Sequence, residues 1–376
     1  MMEFLPAEII EAMIESAYYR KGVPDRPFLK TCALICQAWS SPAQRLLFRH
    51  VELLDGRKYA LFRMATDPAS ERGRLLGRHV RILEISIGQQ TPFDIGELDL
   101  VELLHRTPRL YELALRSKGV HQFDPSTTQR LTHLATHSTA EGISPLRVRA
   151  LTILSCGIQS PIVYQLLEIW PSVEFLYIGV ELAAPPPKWS PTFRLYQLTL
   201  MRTPRHSILS WLLSSSIESL EIASFRDAPG RDLDPILDDI GPRLRSLWMM
   251  NYSPRATKVL KKCTRLEEFS ILQLSTLFAL DDLPPTIKHL KCRNLPSEDQ
   301  SLHSIIHAIR SLPGLRVVTC DSQATEDERY TELRDLCASR GIELMLDETP
   351  LWVREDPVYV NQFPRTKSIT NFALMN

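Results

Sequence analysis

Several signals that mark common enzyme and membrane classes are missing from this chain of 376 residues. The sequence contains no glycine-rich phosphate loop, no GxSxG nucleophile elbow and no CxxC pair, so it does not predict nucleotide binding, serine hydrolysis or a thiol redox centre. No stretch approaches the roughly 20 consecutive apolar residues that a membrane-spanning helix needs. We therefore predict a protein that is not an enzyme and that needs no cofactor and no metal.

Charge and cysteine content limit the partners and the compartment. The 44 Lys and Arg residues equal the 44 Asp and Glu residues, so the whole chain has no net field to attract nucleic acid or an anionic membrane, and we expect neither as a partner. The seven cysteines are an odd number and lie mostly at apolar positions, as reduced buried thiols do. The N-terminus lacks the basic start and apolar run of a signal peptide, which predicts a cytoplasmic or nuclear protein.

The first fifty residues predict three short amphipathic helices, each beginning at a proline: Pro6, Pro27 and Pro42. Proline suits the first helical turn, where its missing N–H is not needed, and Ser41 is a suitable N-cap. Spacings of three and four residues place apolar side chains on one face of each of the first two helices: Ile10, Met13, Ile14 and Ala17, then Phe28, Cys32, Ile35, Cys36 and Trp39. So small a unit buries little surface, so we expect its remaining apolar surface to bind a partner.

Three ordered sequence runs occupy about residues 4–53. They begin with Leu-Pro-x-Glu-Ile-Ile, continue with Leu-x-x-Cys-x-Leu-Ile-Cys-x-x-Trp and end with Leu-Phe-Arg-x-Val-x-Leu: Leu5, Pro6, Glu8, Ile9, Ile10, then Leu29, Cys32, Leu34, Ile35, Cys36, Trp39, then Leu47, Phe48, Arg49, Val51, Leu53. This combination resembles the F-box, the adaptor-binding module of SCF-type ubiquitin ligases, in the version common in mushroom-forming fungi. The segment 18–27 departs from the family pattern because it is longer and more basic than the usual loop.

The resemblance implies a substrate-recognition subunit whose F-box binds a Skp-family adaptor and, through that adaptor, a cullin. It implies that the adaptor contacts come from the exposed apolar residues of the box: Leu5, Pro6, Ile9, Ile10, Leu34, Ile35 and Trp39. For Trp39 a place in the internal core is an open alternative, and for Cys36 the core is the favoured interpretation. The chain would then position a client protein for ubiquitin transfer, without making or breaking bonds itself.

An apolar-x-x-apolar-x-apolar pattern recurs through most of the remaining chain. Its eleven copies begin at the following residues: Phe48, Val80, Leu110, Val148, Val173, Leu195, Ile217, Leu244, Leu266, Ile287 and Leu315. Most intervals lie in or near the range of about 20–29 residues that is typical of leucine-rich repeats. In five copies a proline stands two residues before the first apolar position, where it ends a helix and admits a strand: Pro108, Pro171, Pro242, Pro285 and Pro313.

These observations predict an α/β fold with a three-helix F-box-like domain over 1–50, then an irregular leucine-rich-repeat solenoid over 48–346 with a parallel concave sheet, and a C-terminal cap or tail over 347–376. Phe48, Val51 and Leu53 belong to both the box and the first repeat, so we expect a rigid junction. The proline-rich segment 183–191 is predicted to be a surface linker. A last strand is expected at Ile342, Leu344 and Leu346.

Alternate residues of each predicted strand point away from the leucine core and onto the concave face. There we expect a client-binding surface to which five residues contribute: Phe175, Tyr177, Trp248, Lys291 and Arg293. Exposed aromatics are typical of binding hot spots, and the cations could select an acidic or phosphorylated segment. Two alternatives stay open: loops or the tail cover the aromatics, or a register error of one residue turns them inward.

Two other functions are alternatives to a ligase subunit: an interaction scaffold and an enzyme. If the box has lost its ability to bind the adaptor, the repeats alone would make the chain an adaptor-independent interaction scaffold. The pairs His133/His137 and His303/His307 have the four-residue spacing of zinc ligands, but both lack the glutamate of a metalloprotease helix and an obvious third ligand, so we interpret them as solvated helix residues. An enzyme would need converging histidines and carboxylates in a deep pocket.

Overall fold

The computed structural model describes residues 6–20, 23–89, 91, 93–137, 144–227, 234–250, 252, 254–273, 280, 283–293 and 301–347. The chain divides between Pro187 and Lys188 into two compact units, which we call unit 1 and unit 2. This division lies within the proline-rich segment that the sequence predicts to be a linker. Of the predicted last segment, 347–376, only Asp347 is among the described residues, so the role of this segment as a cap or tail stays a prediction.

Unit 1 begins with three helices: α1 (Ala7–Ser16), α2 (Arg26–Ile35) and α3 (Gln37–Arg49). A short antiparallel pair, β1 (Tyr19–Arg20) and β2 (Val23–Pro24), joins α1 to α2. The Asp25 side chain caps α2 by accepting a hydrogen bond from the Phe28 N–H at 3.0 Å. The helices bury one shared core: Ile10, Ile14, Tyr18, Leu29, Cys32, Ala43 and Leu46.

The third helix does not begin where the proline pattern predicts. It starts at Gln37, and Pro42 lies inside it. The helix start is set by Cys36, whose extended backbone ends α2 and whose carbonyl accepts the Ser40 N–H at 2.9 Å. Cys36 is therefore exposed and is not a core residue, and Trp39 belongs to α3.

The repeats of unit 1 contribute five parallel strands, each hydrogen-bonded to the next: β3 (His50–Leu53), β4 (Ile82–Gly88), β5 (Glu112–Lys118), β6 (Ala150–Ser155) and β7 (Phe175–Ile178). Their connections contain α4 (Gly56–Ala65), α5 (Glu71–His79), α6 (Glu97–Arg106), α7 (Pro125–Thr136) and α8 (Ile162–Ile169). β3 follows α3 without a loop, so Val51 and Leu53 begin the sheet while Phe48 is helical. The helices and the repeats are thus directly continuous, and the rigidity of their junction stays a prediction.

Unit 2 continues the same plan with seven parallel strands: β8 (Gln197–Leu200), β9 (Ile222–Phe225), β10 (Ser246–Met249), β11 (Glu268–Ile271), β12 (His289–Cys292), β13 (Val317–Asp321) and β14 (Glu343–Asp347). Its described helices are α9 (His206–Leu213), α10 (Asp234–Ile240), α11 (Pro254–Leu260), α12 (Ser301–Ser311) and α13 (Tyr330–Ser339). Leu198, Ala223, Leu247, Phe269 and Leu290 are successive register partners and are all fully buried. The predicted α/β leucine-rich-repeat fold class is confirmed.

One predicted repeat has the wrong register. Every other predicted repeat begins two residues before an observed strand, but β9 begins at Ile222, so its repeat starts at Leu220 and not at Ile217. Ile217, Leu220 and Ile222 match the pattern by chance, whereas the small Ala223 fills the core position and weakens the true copy. The predicted last strand is confirmed as β14.

Gly77 provides a test of how closely the repeats pack. It lies in α5, and a Cβ atom added there would stand 2.2 Å from the Arg106 carbonyl oxygen. We expect Gly77→Ala to lower the free energy of unfolding by about 1–3 kcal/mol, because the backbone clash outweighs the roughly 1 kcal/mol that alanine gains over glycine in a helix. Urea unfolding followed by circular dichroism measures this change.

The matched control is Gly157→Ala, whose Cβ would meet nothing closer than the Ser160 Cβ at 3.8 Å. This variant should unfold within about 0.5 kcal/mol of the wild type. Equal effects of the two substitutions would contradict the close packing of α5 against the end of α6.

Candidate functional site

The outer side of α1 carries an apolar stripe. Ile10, Ile14 and Tyr18 recur every four residues and face the shared core. Ile9 and Met13, which are also four residues apart, consequently face outwards and expose 48% and 47% of their surface. A helix of ten residues that is apolar on two sides has more apolar surface than its own unit buries.

The C-terminal end of α2 exposes a second apolar group. Leu29 and Cys32 face the core, whereas Leu34 and Ile35 lie on the other side of the last turn and are 86% and 56% exposed. The helix stops immediately afterwards at the extended Cys36, so this end projects its side chains into solvent. The two groups, Ile9 with Met13 and Leu34 with Ile35, define the candidate binding surface, which we call the box surface.

Ion pairs hold the helices of the box surface in place. Arg45 of α3 pairs with Glu11 and Glu15 of α1, at 2.5 Å from the Glu15 carboxylate. Burial raises the pKa of the Glu15 carboxyl, although Arg45 opposes this shift. Arg26 of α2 pairs with Glu52 of β3 at 2.7 Å, which ties the box to the first repeat strand. These ion pairs thus connect α1 to α3 and α2 to the first repeat strand.

The predicted adaptor contacts have different surroundings. Pro6 is exposed at the start of α1, and Ile9, Leu34 and Ile35 are exposed as expected. Ile10 is only 4% exposed, so it is a core residue and a partner cannot reach it. Trp39 is partly buried against the same core, which matches the alternative interpretation of that residue. Leu5 lies outside the described residues.

Met13 is the residue of the box surface that sequence reasoning assigned to the wrong side. The sequence pattern groups Met13 with Ile10 and Ile14 on one face, although the fourfold spacing of Ile10, Ile14 and Tyr18 leaves Ile9 and Met13 as a separate stripe. The fourfold run through Tyr18 was the signal that distinguishes the two sides.

In unit 1, Phe175 and Tyr177 alternate with the buried Leu176 and Ile178, as predicted for residues of the concave face. Phe175 nevertheless exposes only 2% of its surface, and its ring lies 6.3 Å from the ring of Tyr111. Tyr177 is half-buried. The predicted register is right, but the expectation that Phe175 faces water is wrong.

In unit 2, Trp248 is the centre of a buried polar cluster. It is 5% exposed, with the Arg226 guanidinium 5.2 Å and the Lys291 ammonium 5.1 Å from its ring centre. Its indole N–H donates to the Ser246 hydroxyl at 3.0 Å and lies 3.3 Å from the Glu268 carboxylate. The expectation of an exposed aromatic is therefore wrong for Trp248, because polar neighbours enclose it.

The predicted cationic strip is neutralised within the chain. Lys291 pairs with Asp347 at 2.9 Å, while Arg293 pairs with Asp321 at 2.6 Å and with Asp347 at 2.8 Å. These acids come from β13 and β14, the two strands that follow β12. Lys291 and Arg293 thus already have acidic partners, and the role of the five predicted residues in client binding stays a prediction.

His289 extends the same cluster from the Glu268 side. Its Nδ1 lies 3.1 Å from the Glu268 carboxylate, and its Nε2 lies 2.9 Å from the Thr319 hydroxyl. Both ring nitrogens therefore have a partner within hydrogen-bonding distance, and the ring is held in one orientation. The polar side chains on this side of the sheet form an internal hydrogen-bonded network.

The histidine pairs and cysteines do not converge on a metal within the described residues. The rings of His133 and His137 stack at 4.4 Å beside a groove lined by α7, and no group of three metal-ligating side chains occurs among the described residues. The seven cysteines are free, and burial raises the pKa of the Cys263 and Cys320 thiols to about 12, which keeps them protonated at neutral pH.

The chain has remote likenesses among solved structures. No family model matches the sequence, and no curated protein matches it. Among solved structures, the leucine-rich-repeat-containing protein LegL7 from Legionella pneumophila is similar with a TM-score of 0.42 and 15% identity over 70% of this chain and 82% of its own. An internalin from Listeria monocytogenes has a TM-score of 0.32 and 16% identity over 86% and 88%. These scores are too low to support a conclusion about this chain. The assignment of the fold is based on the register of its parallel strands.

None of the helices in the described part of the chain is long and apolar enough to cross a membrane.

Proposed function

We propose that this chain is a protein-interaction subunit that recruits client proteins to an SCF-type ubiquitin ligase. In this proposal the three N-terminal helices bind a Skp-family adaptor, which connects the chain to a cullin, and the repeats bind the client. The chain performs no bond chemistry itself, and its contribution is to raise the local concentration of the client and orient its lysines.

The observation that carries the proposal is the exposure of large apolar side chains on a small helical unit with a complete core of its own. Leu34 and Ile35 at the end of α2, and Ile9 and Met13 on α1, remain in water while Ile10 and Ile14 fill the interior. Exposed apolar groups of this size are typical of protein interaction sites. The F-box-like motif supplies the identity of the partner.

The direct junction between α3 and β3 supports the second half of the proposal. A receptor has to hold its client at a fixed offset from the ligase machinery, and the uninterrupted α3–β3 segment, with the Arg26–Glu52 pair beside it, leaves no linker between the box and the repeats of unit 1. A flexible linker would spread the client over many positions and lower its effective concentration.

Retention on an immobilised cullin tests the proposal. The purified chain should be retained when a Skp-family adaptor is added and should pass through when the adaptor is absent. Retention without the adaptor would contradict the proposed bridge. A folded chain that is not retained under either condition would favour the alternative function, an adaptor-independent interaction scaffold.

A further inference from the structure

Exposed positive charge is concentrated on the hairpin formed by α4 and α5, although the chain as a whole is neutral. Over residues 55–79, which we call the α4–α5 hairpin, the exposed charged residues are six cations and three anions: Arg57, Lys58, Arg63, Arg72, Arg74 and Arg78 against Asp55, Asp67 and Glu71. A balanced total therefore conceals a local excess of positive charge.

Most of these cations are not neutralised. The Asp55 carboxylate accepts the Lys58 backbone N–H at 2.8 Å and caps α4, and the Asp67 carboxylate accepts the Ala69 N–H at 3.0 Å in the turn before α5. Within the described residues, neither acid forms an ion pair with a cation of the hairpin. Four cationic side chains have no ion pair or hydrogen bond within the described part of the chain: Arg57, Lys58, Arg72 and Arg78. Their charge is available to an external anion.

Large apolar side chains protrude from the α4–α5 hairpin and from Phe93, which is hydrogen-bonded to its first residues. Leu61 and Met64 of α4 are 59% and 76% exposed, and Leu75 of α5 is 51% exposed. Phe93 is 80% exposed and stands at the start of α4, where its carbonyl accepts the Gly56 N–H at 3.0 Å. None of these four side chains belongs to the box surface.

Cationic and apolar side chains alternate along the two helices. Leu61 lies one turn after Arg57, and Leu75 lies one turn from both Arg72 and Arg78. An anionic bilayer can satisfy both kinds of group at once. Guanidinium groups bind phosphate and carboxylate oxygens through paired N–H donors, while apolar side chains enter the boundary between headgroups and acyl chains.

We infer that the α4–α5 hairpin is a peripheral docking surface for an anionic lipid bilayer. A nucleic-acid backbone would use the arginines but leave four large apolar side chains in water. A protein partner would need acidic side chains placed to match cations on two helices, whereas an anionic bilayer presents phosphate and carboxylate oxygens over its whole surface. The inference is independent of the proposed ligase role. It revises the expectation that no membrane is a partner, because that expectation depended on the total charge alone.

Co-sedimentation of the full chain with lipid vesicles tests the inference. Vesicles of phosphatidylcholine with about 30 mol% phosphatidylserine should bind the chain at low ionic strength, and vesicles of phosphatidylcholine alone should not. The triple variant Arg57→Glu, Arg72→Glu, Arg78→Glu should lower the partition coefficient at least about tenfold. The matched control replaces three exposed arginines outside the hairpin with glutamate: Arg130, Arg194 and Arg265. It should bind the vesicles as the wild type does.

A second variant separates lipid docking from binding to any polyanion. Leu61→Ser with Met64→Ser keeps every charge and should still weaken vesicle binding several-fold, because the acyl boundary loses two apolar side chains. Failure of the wild type to bind phosphatidylserine vesicles would overturn the inference. Equal binding by the triple variant and its control would do the same. The inference would also be overturned if the Leu61→Ser, Met64→Ser variant bound vesicles as well as the wild type does and bound a single-stranded oligonucleotide with full affinity.

Discussion

Replacing Trp248 with alanine is expected to lower the free energy of unfolding by about 3–5 kcal/mol, which is the range for truncating a buried tryptophan. The ring is 5% exposed between Arg226 and Lys291, and its N–H donates to Ser246, so alanine removes packing, two cation–π contacts and a hydrogen bond. Urea unfolding and amide hydrogen exchange in β9–β12 measure the loss globally and locally.

Trp248→Phe is the matched variant. It keeps an aromatic ring between the two cations and removes only the N–H donor and part of the volume, so its loss should be smaller, about 1–2 kcal/mol. If Trp248→Ala instead unfolds within about 0.5 kcal/mol of the wild type, the tryptophan is not the centre of a buried cluster. That result would favour an aromatic side chain that is open to a client.

The second large effect is expected at the box surface. Replacing Leu34 and Ile35 with aspartate should weaken adaptor binding at least about a hundredfold, because two exposed apolar anchors are lost and two charges would have to be desolvated. Since both side chains are already 86% and 56% exposed, the free energy of unfolding should change by less than about 1 kcal/mol. Isothermal titration with the purified adaptor and urea unfolding give the two values.

Leu61→Asp with Met64→Asp is the control for that experiment. It adds the same two charges at two comparably exposed apolar positions of unit 1, but on α4, which contributes no residue to the box surface. It should leave adaptor binding unchanged. If both double variants lose the adaptor equally, added negative charge alone explains the effect, and the box surface is not the binding site.

The repeat register was largely predictable because core positions in a leucine-rich repeat carry large aliphatic side chains at fixed spacing. Leu247 and Leu290 mark their strands without ambiguity, and prolines such as Pro313 mark where a helix ends. The failure at Ile217 has a local cause, since Ala223 occupies a core position that the pattern expects to be a larger residue. A small residue at a core position reduces the difference in hydrophobicity between core and surface positions, and the repeat pattern is recognised by that difference.

The burial of side chains on the face predicted to be concave was not predictable from the strand register. Alternation says which side of a strand a residue faces, but not which long-range partners meet it there. The acids that neutralise Arg293 are 28 and 54 residues later in the chain, and the spacing of β12 gives no sign of them. The start of α3 was missed for a similar reason, because the extended backbone of Cys36 outweighs the preference of Pro42 for a first helical turn.

The central claim is that the N-terminal helices bind a Skp-family adaptor, and titration of the purified wild-type chain with that adaptor tests it most directly. The account predicts saturable binding at one adaptor per chain, with a Kd of about 1 μM or lower. A wild-type chain that unfolds cooperatively, and is therefore folded, but gives no binding at adaptor concentrations up to about 100 μM would contradict the account.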